Sequence, residues 1–215
     1  VAELLRAAGH RVHTPTLSGL GERSHLADRD INCSTHVRDV LNVIHWESLN
    51  EVVLCGHSYA GMVITGVGDA IPERVAALVY IDAVVPENGM SILDQLPPAR
   101  IAQLLKTTAS HGGRLIPPAP ADTFNVNAAD RARVDALSTP QPIATFTEAL
   151  RLAGSYRRVA KKAYVIATGW NNPAVSTFYA RVENDPSWST FELPFGHDVM
   201  LDAPEALARI LQEIA

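Results

Sequence analysis

The sequence predicts a single α/β domain over residues 1–215, in which helices flank a mostly parallel sheet and carry a helical lid insertion. Strands buried on both faces of a parallel sheet read as nearly continuous apolar runs, and such runs lie at residues 51–55, 75–81, 163–167 and, more weakly, 190–193. Helical patterns separate these runs, as in a parallel α/β sheet. A content of 47% hydrophobic and 19% charged residues excludes a disordered or fibrous chain.

The N-terminal third of the chain alternates helical and extended patterns. Apolar positions at spacings of three and four predict helices, Gly9 marks the end of the first one, and Gly56 ends the first apolar run. In chain order, the predicted elements are a helix at 1–8, a strand at 11–14, a turn-rich loop at 15–21, an amphipathic helix at 35–49 and a helix of small residues at 59–70.

A change of character at residues 87–160 predicts an insertion that lies over the sheet. Proline-rich joints at 97–98, 117–118 and 140–142 divide this segment into helical stretches. The stretches lie at 91–110, 128–137 and 143–152, and a last helix is predicted at 205–214. The insertion is expected to form an apolar lid over a hydrophobic substrate; its candidate lining residues are Leu104, Leu105, Ile116, Phe124, Phe146 and Leu150.

Charge and composition exclude several classes of function. The chain has 18 Lys and Arg against 23 Asp and Glu, a net charge of −5 and a pI near 5.9, with no basic stripe, which predicts no nucleic-acid partner. No apolar run approaches the roughly 18 residues of a membrane span and no signal-peptide pattern is present, so we expect a soluble, cytoplasmic protein without a membrane partner.

The cysteine and histidine patterns predict neither disulfides nor a metal site. Cys33 and Cys55 are too few for a disulfide framework and are expected to be buried free thiols. The eight histidines lack the spacings of zinc-binding motifs. We therefore predict no metal.

A candidate nucleophile, Ser58, lies where a buried strand meets a helix. A sharp strand-to-helix turn needs small neighbours, and the run 55–61 provides Gly56, Ala60 and Gly61. The helix N-terminus favours an anion, so the backbone N–H of Tyr59 is a candidate oxyanion donor. The alternative interpretation is a glycine-rich helix start with Ser58 as its capping residue.

A serine hydroxyl needs an adjacent base, and His197 is the best candidate. Where a serine lies at such a turn, the histidine comes last in chain order; His197 follows the last strand and precedes the last helix. The alternative is an exposed loop histidine. His57 is expected to face away into packing, and a surface position is predicted for His10, His13, His25, His36, His45 and His111.

The runs 56–61, 79–86, 139–142 and 196–198 together resemble the α/β-hydrolase superfamily over nearly the whole chain. Within it they are similar to the branch of small enzymes that contains plant hydroxynitrile lyases, salicylate methyl esterases and bacterial pyrethroid-type carboxylesterases. The resemblance implies an α/β-hydrolase fold and hydrolysis of esters through an acyl-enzyme, without a cofactor.

The acid of the catalytic triad departs from this branch. The branch usually has it just after the strand predicted at 163–167, but residues 168–173 contain no carboxylate. An amide such as Asn171 could orient the histidine but could not stabilise the imidazolium. Asp82, at the end of the next strand after that of Ser58, is therefore the predicted acid, as in some superfamily members. The alternatives are a turn-capping role for Asp82, with Asp198, Glu183 or Asp185 as the acid.

The N-terminus is the second feature in which the sequence differs from the family. The family begins with a central strand and a His-Gly loop that supplies another oxyanion donor, and neither is present in the sequence. Losing one such donor lowers the rate about 100- to 1000-fold. We expect these residues to be part of a longer protein, or a rearranged segment or another chain to fill the gap.

These observations predict a serine carboxylesterase that hydrolyses small hydrophobic esters: Ser58 as nucleophile, His197 as base, Asp82 as acid and Tyr59 N–H as oxyanion donor. Its partner is a small-molecule ester, and a homodimer is possible. A non-catalytic binding module of the same fold is the alternative. A hydroxynitrile lyase is disfavoured because Asp198, next to His197, would repel the cyanide anion.

Overall fold

The structure, a computed structural model, describes residues 1–27, 30–170 and 172–215. Its α-helices are α1 (Ala2–Ala7), α2 (Cys33–Trp46), α3 (Ala60–Ala70), α4 (Pro98–Ser110), α5 (Arg131–Leu137), α6 (Ala144–Thr147), α7 (Pro173–Val182), α8 (Val199–Asp202) and α9 (Pro204–Ile214). Its strands are β1 (Val52–His57), β2 (Val75–Ile81), β3 (Leu115–Ile116), β4 (Gln141–Pro142), β5 (Lys161–Ala167) and β6 (Trp188–Leu193).

The described residues form a sheet of four strands in the order β1-β2-β5-β6, and all three pairings are parallel. The carboxyl ends of these strands therefore meet at one edge of the sheet. His57 of β1 lies beside Ile81 of β2, and Ile81 lies beside Val165 of β5. The short strands β3 and β4 pair antiparallel within the insertion.

Apolar layers cover both faces of the sheet, because successive side chains of a strand point to opposite faces. Leu78 and Tyr80 of β2 pack on one face, in a core that includes side chains of α2, α3 and α7. Ala77 and Val79 pack on the other face, in a core that includes Leu207 and Leu211 of α9. Helices on both faces complete the layered arrangement that the strand patterns predict.

The predicted strands of the sheet are present in the structure. The strand at 75–81 has the predicted bounds, and β1 continues past its predicted end to His57. Strands β5 and β6 each begin two residues before their predicted first residues. Residues 11–14 do not form a strand, since none of the described strands pairs with them. The helix predicted at 35–49 is shifted to Cys33–Trp46, because Asn32 and Thr35 form a capping box at its start.

The insertion is less helical than predicted. The helix expected at 91–110 begins only at Pro98, because the residue before a proline disfavours the helical conformation. The stretch at 143–152 is helical only at Ala144–Thr147, and Leu150 forms a β-bridge with Met90 instead. Helix α7, which follows Asn172 as its N-cap, was not predicted.

Hydrogen bonds to two carboxylates connect the end of the insertion to helices α2 and α3. The Glu148 carboxylate accepts hydrogen bonds from Ser34 N (2.7 Å) and Ser34 Oγ (2.8 Å) in the first turn of α2. The Asp69 carboxylate, near the end of α3, accepts from the backbone of Ala153 and Tyr156. Within the described ranges, no helix is long and apolar enough to span a bilayer.

Candidate active site

Ser58 lies on the sharp turn between β1 and α3. Its φ angle is +55°, a left-handed conformation that costs a non-glycine residue about 1–3 kcal/mol and is common at functional sites. Backbone hydrogen bonds hold the turn: Ser58 N donates to Ile81 O (3.2 Å), and Ser58 O accepts from Gly61 N and Val84 N, both at 3.2 Å. The turn therefore stays fixed against the end of β2.

Two glycines make this turn possible. A Cβ atom on Gly61 would lie 2.0 Å from Val84 O, and one on Gly56 would lie 2.7 Å from Ala60 O. Both contacts are with backbone atoms, which a side-chain rotation cannot relieve. The small residues that the sequence places around Ser58 thus allow α3 to start directly above the neighbouring strand.

Asp82 follows β2 at the same edge of the sheet. Its φ angle is +45° and its side chain is 1% exposed. Asp82 N donates to Val165 O (2.7 Å), and Oδ1 accepts from Ala167 N (3.0 Å). The adjoining Ala83 O accepts a 2.7 Å hydrogen bond from the Tyr164 hydroxyl. The carboxylate is therefore held between the ends of β2 and β5.

His197 lies on the loop after β6 and is 4% exposed. Its Nδ1 lies 2.6 Å from Asp82 Oδ2, and its backbone N–H donates to Phe124 O (3.0 Å). Since a carboxylate only accepts, Nδ1 carries the proton and Nε2 of the neutral ring is left as an acceptor. This is the tautomer that a general base needs.

His57, the last residue of β1, supports the His197 loop. Its Nε2 donates a 3.0 Å hydrogen bond to His197 O, and the two imidazole centroids lie 4.3 Å apart. Burial, followed by the nearby His197, lowers the pKa of His57 to about 3. His57 was predicted to face away from Ser58 into packing, and the structure places its ring against that of His197.

Asp198 lies next to this pair of histidines. One of its carboxylate oxygens is 3.7 Å from His57 Nε2. Burial raises the pKa of the Asp198 carboxyl. Because the low pKa of His57 keeps that ring neutral, the contact is not an ion pair.

Aromatic side chains surround the His197 imidazole. The ring centroid of Trp170 lies 4.2 Å from that of His197, and the centroid of Phe124 lies 5.4 Å away. Trp170 and Phe124 also contact each other at 5.8 Å. The three rings form a triangle that excludes water from one side of the imidazole.

Tyr59 connects the serine turn to α2. Its hydroxyl lies 3.0 Å from Nδ1 of His36, and Nε2 of that histidine lies 2.9 Å from Ser18 O. Burial lowers the pKa of His36, so the neutral ring donates from Nε2 to the carbonyl and accepts the Tyr59 proton at Nδ1. His36 is fully buried, and its predicted surface position was wrong. Asp39, one turn further along α2, accepts from both N and Oγ of Ser18.

The structure places the predicted site residues at one edge of the sheet. Asp82 and His197 are in direct contact, and Ser58 lies between the ends of β1 and β2. No hydrogen bond joins Ser58 Oγ to the His197 ring among the residues described; such contacts are often long before substrate binds. The backbone N–H of Tyr59 likewise has no partner in the described part of the chain and is free to bind an oxyanion.

The alternative acids occupy other positions. Glu183 and Asp185 are exposed between α7 and β6, at the edge of the sheet opposite Ser58. Asp198 is near His57, as described above. Asn171, the amide alternative, lies outside the described residues.

The predicted lid residues divide into two groups. Phe146 stacks on Tyr59 at 5.8 Å and Phe124 packs against His197, so both border the site. Leu150 is instead buried in the core with α3, and Leu105 is 45% exposed on α4. Trp170, which the sequence pattern does not mark as a site residue, borders the site as well.

The described residues contain no cluster of three or more His, Cys, Asp and Glu side chains suited to a metal ion. Both cysteines are free. Cys33 is buried, and this burial raises the pKa of its thiol to about 11. Cys55 is exposed, contrary to the prediction; it lies on β1, an outer strand of the described sheet.

Comparisons with known proteins identify a family and relatives of this chain. A family model described as "Alpha/beta hydrolase family" matches residues 1–210. A carbendazim hydrolyzing esterase from Nocardioides sp. (strain SG-4G) is 43% identical over 220 residues, which cover 98% of this chain and 90% of that protein.

Solved structures show the same fold. An extracellular alpha/beta-hydrolase from a Paenibacillus species has a TM-score of 0.85 at 23% identity and covers 100% of this chain and 91% of its own. A pyrethroid hydrolase from Sphingobium faniae JZ-2 has a TM-score of 0.79 at 20% identity and covers 99% of this chain and 89% of its own. The predicted fold class, a mostly parallel sheet flanked by helices, is confirmed.

Proposed function

Because this chain belongs to the alpha/beta hydrolase family, we propose that it is a serine carboxylesterase acting on small hydrophobic esters through an acyl-enzyme. The observation that carries the proposal is the buried 2.6 Å contact between His197 and Asp82, at the edge of the sheet where Ser58 occupies its strained turn. The identity of 43% to an esterase over nearly the full chain supports the same activity.

In the first half of the reaction, Ser58 Oγ attacks the ester carbonyl carbon and its proton passes to His197 Nε2. Asp82 accepts the Nδ1 proton in a hydrogen bond and stabilises the imidazolium that forms. The carbonyl oxygen becomes an oxyanion, to which Tyr59 N–H donates at the start of α3. When the tetrahedral intermediate collapses, the bond to the alcohol breaks and His197 returns the proton to the leaving oxygen.

In the second half, water replaces the alcohol. His197 Nε2 takes a proton from the water as its oxygen attacks the acyl carbon, and the second tetrahedral intermediate expels Ser58 Oγ. The proton returns to Ser58, and the carboxylic acid leaves. Every proton therefore passes through one imidazole, whose orientation Asp82 and the backbone contact with Phe124 maintain.

The substrate is an uncharged ester with apolar groups on either side of the carbonyl. Phe146 and Tyr59 offer a stacked aromatic surface beside the serine turn, and Phe124 and Trp170 offer a second one beside His197. Asp198 disfavours an anionic group close to the base. Carbendazim, which the Nocardioides relative is named for hydrolysing, is therefore a second substrate to test beside a simple butyrate ester.

Turnover of p-nitrophenyl butyrate tests this proposal in the parent protein and in Ser58→Ala. Removing the nucleophile is expected to lower kcat at least about 10⁴-fold, as removing a member of a serine triad does in other hydrolases. Ser187→Ala is the matched control, because Ser187 is exposed near the start of β6, at the opposite edge of the sheet. Full turnover by Ser58→Ala would refute the mechanism, and an inactive parent would favour a non-catalytic binding module.

A further inference from the structure

The His197 imidazole must carry a positive charge at each tetrahedral intermediate of the proposed reaction. Its Nδ1 side faces Asp82, which balances part of this charge. The flat face of a buried ring is normally left to apolar neighbours, which give no such compensation. Whatever lies against that face therefore decides how easily His197 accepts a proton.

The ring of Trp170 lies against that face. Two rings whose centroids are 4.2 Å apart and whose planes meet at 36° overlap by their faces, since edge-on rings would collide at this separation. A cation within about 6 Å of an aromatic centroid is attracted by the negative face of the ring, and the attraction is strongest for tryptophan. Phe124, at 5.4 Å and 30°, adds a second, weaker aromatic contact.

The position of Trp170 is fixed by contacts on both sides. Its Nε1 donates a 2.9 Å hydrogen bond to Thr123 O, beside Phe124. The preceding residue, Gly169, accepts a 2.9 Å hydrogen bond from Asn125 Nδ2, and a Cβ atom there would lie 2.6 Å from Phe195 O. The loops before Phe124, after β5 and before His197 are thereby joined, and the Nε1 hydrogen bond holds the indole at the imidazole.

Other charged or titratable groups also face the imidazole. Asp82 contacts it from the end of β2, and His57 lies 4.3 Å away at the end of β1. Asp198 adjoins it on the loop, and Asp202 of α8 accepts a hydrogen bond from Gly196 N. His57 remains neutral because of its low pKa, so it adds no competing cation above about pH 4.

We propose that Trp170, assisted by Phe124, is a positioning residue that stabilises the protonated form of His197 through the face of its indole ring. This inference rests on the proposed function for its catalytic consequence. The preference of the indole for the charged imidazole over the neutral one does not depend on which substrate is hydrolysed.

Titration of His197 by NMR tests the inference directly. Protein labelled with ¹³C and ¹⁵N at histidine is titrated in the parent, Trp170→Phe and Trp170→Leu, and the His197 resonances are assigned by their loss in His197→Gln. The midpoint is expected to move to lower pH by about half to one pH unit in Trp170→Leu and by less in Trp170→Phe. Trp46→Leu is the matched control, because Trp46 is 79% exposed on α2 and contacts His45 rather than the site.

Ester kinetics provide the second readout. In Trp170→Leu, kcat/KM above pH 8 is expected to fall about 3- to 10-fold, while the acid limb of its pH profile moves in the same direction as the NMR midpoint. A merely structural role would lower the plateau without moving the midpoint, and an unchanged midpoint in both Trp170 variants would overturn the inference. Absence of turnover in the parent would overturn the proposed function, while the NMR midpoints would still decide the role of the indole.

Discussion

Ser58 and Asp82 both adopt left-handed backbone conformations, and both directly follow neighbouring parallel strands. Such conformations persist only where surrounding contacts compensate for their cost. At Ser58 the compensation comes from hydrogen bonds to Ile81 and Val84, and at Asp82 from hydrogen bonds to Val165 and Ala167. Ile81 and Val84, which bond to Ser58, therefore lie on either side of Asp82 in the chain. These contacts keep the distance between the nucleophile and the carboxylate fixed.

Substituting Asp82 by asparagine is expected to lower kcat about 10³- to 10⁴-fold with little change in KM. The amide cannot balance the imidazolium charge, and its NH₂ group disfavours the productive tautomer; the corresponding change in a serine protease triad lowers kcat about 10⁴-fold. Steady-state kinetics on p-nitrophenyl butyrate measure the effect. Asp185→Asn is the control, and a loss of activity in Asp185→Asn equal to that in Asp82→Asn would exclude Asp82 as the specific acid.

The sequence indicated these residues with unequal clarity. Small neighbours and the strand-to-helix junction predict the turn at Ser58, and chain order predicts the loop position of His197. The structure has both positions, and the catalytic roles stay predictions. Asp82 was predicted from the lack of a carboxylate at residues 168–173, from its position at the end of the strand after that of Ser58, and from the resemblance to some superfamily members. The contacts of His57 and Trp170 with His197 join residues 140 and 27 positions apart in sequence, which no local pattern encodes.

Helices α2 and α3 are joined through a buried polar chain. The hydroxyl of Tyr59, at the start of α3, donates to His36 in the second turn of α2, and His36 donates to the loop carbonyl of Ser18. The residue that offers the oxyanion donor is thereby tied to an element on one face of the sheet. Because His36 is fully buried, its Nδ1 depends on the Tyr59 hydroxyl for a hydrogen bond.

Tyr59→Phe is expected to destabilise the protein by about 1–3 kcal/mol, the cost of leaving the buried Nδ1 of His36 without a donor. Denaturant unfolding at pH 8 measures the change in the free energy of unfolding. Tyr179→Phe is the matched control, because its hydroxyl donates to Glu192 at the protein surface, where water replaces the lost bond. An equal effect of both substitutions would contradict a special role for the buried chain.

Regular elements with clear periodicity were predicted well, and irregular ones were not. The strand at 75–81 and the helix ending at Ile214 have the expected positions, because their apolar patterns match the layers that bury them. The insertion differs because its proline joints and the β-bridge between Met90 and Leu150 replace helix by extended backbone. These pairings depend on tertiary contacts, which propensity alone cannot reveal.

Two histidines, His36 and His57, are neutral in the folded protein. Burial lowers the pKa of His36, and burial together with His197 lowers that of His57 to about 3. An unfolded histidine titrates near pH 6.5. Below that pH the unfolded chain binds protons that the folded protein does not, so folding stability is lost as the pH falls from about 6.5 toward 3.

The free energy of unfolding is therefore expected to decrease below pH 6.5 by up to about 1.4 kcal/mol per pH unit for each such histidine. Urea unfolding at intervals between pH 4.5 and 8.5 measures this slope. His57→Gln keeps a donor toward His197 O. In this variant the slope of the unfolding free energy between pH 4.5 and 6 should decrease by about 1.4 kcal/mol per pH unit, which corresponds to one proton. Between pH 7.5 and 8.5 the parent and the variant should have equal slopes; a parallel dependence over the whole range would show that His57 is protonated in the folded state.

The most direct test of the proposed chemistry is covalent labelling with a serine-reactive phosphonate, measured by intact mass, peptide mapping and residual p-nitrophenyl butyrate turnover. The proposed chemistry predicts one label per chain, located on Ser58, with loss of turnover in proportion to labelling, and no label in Ser58→Ala. Loss of turnover with the label on another residue, or full turnover with Ser58 completely labelled, would contradict it.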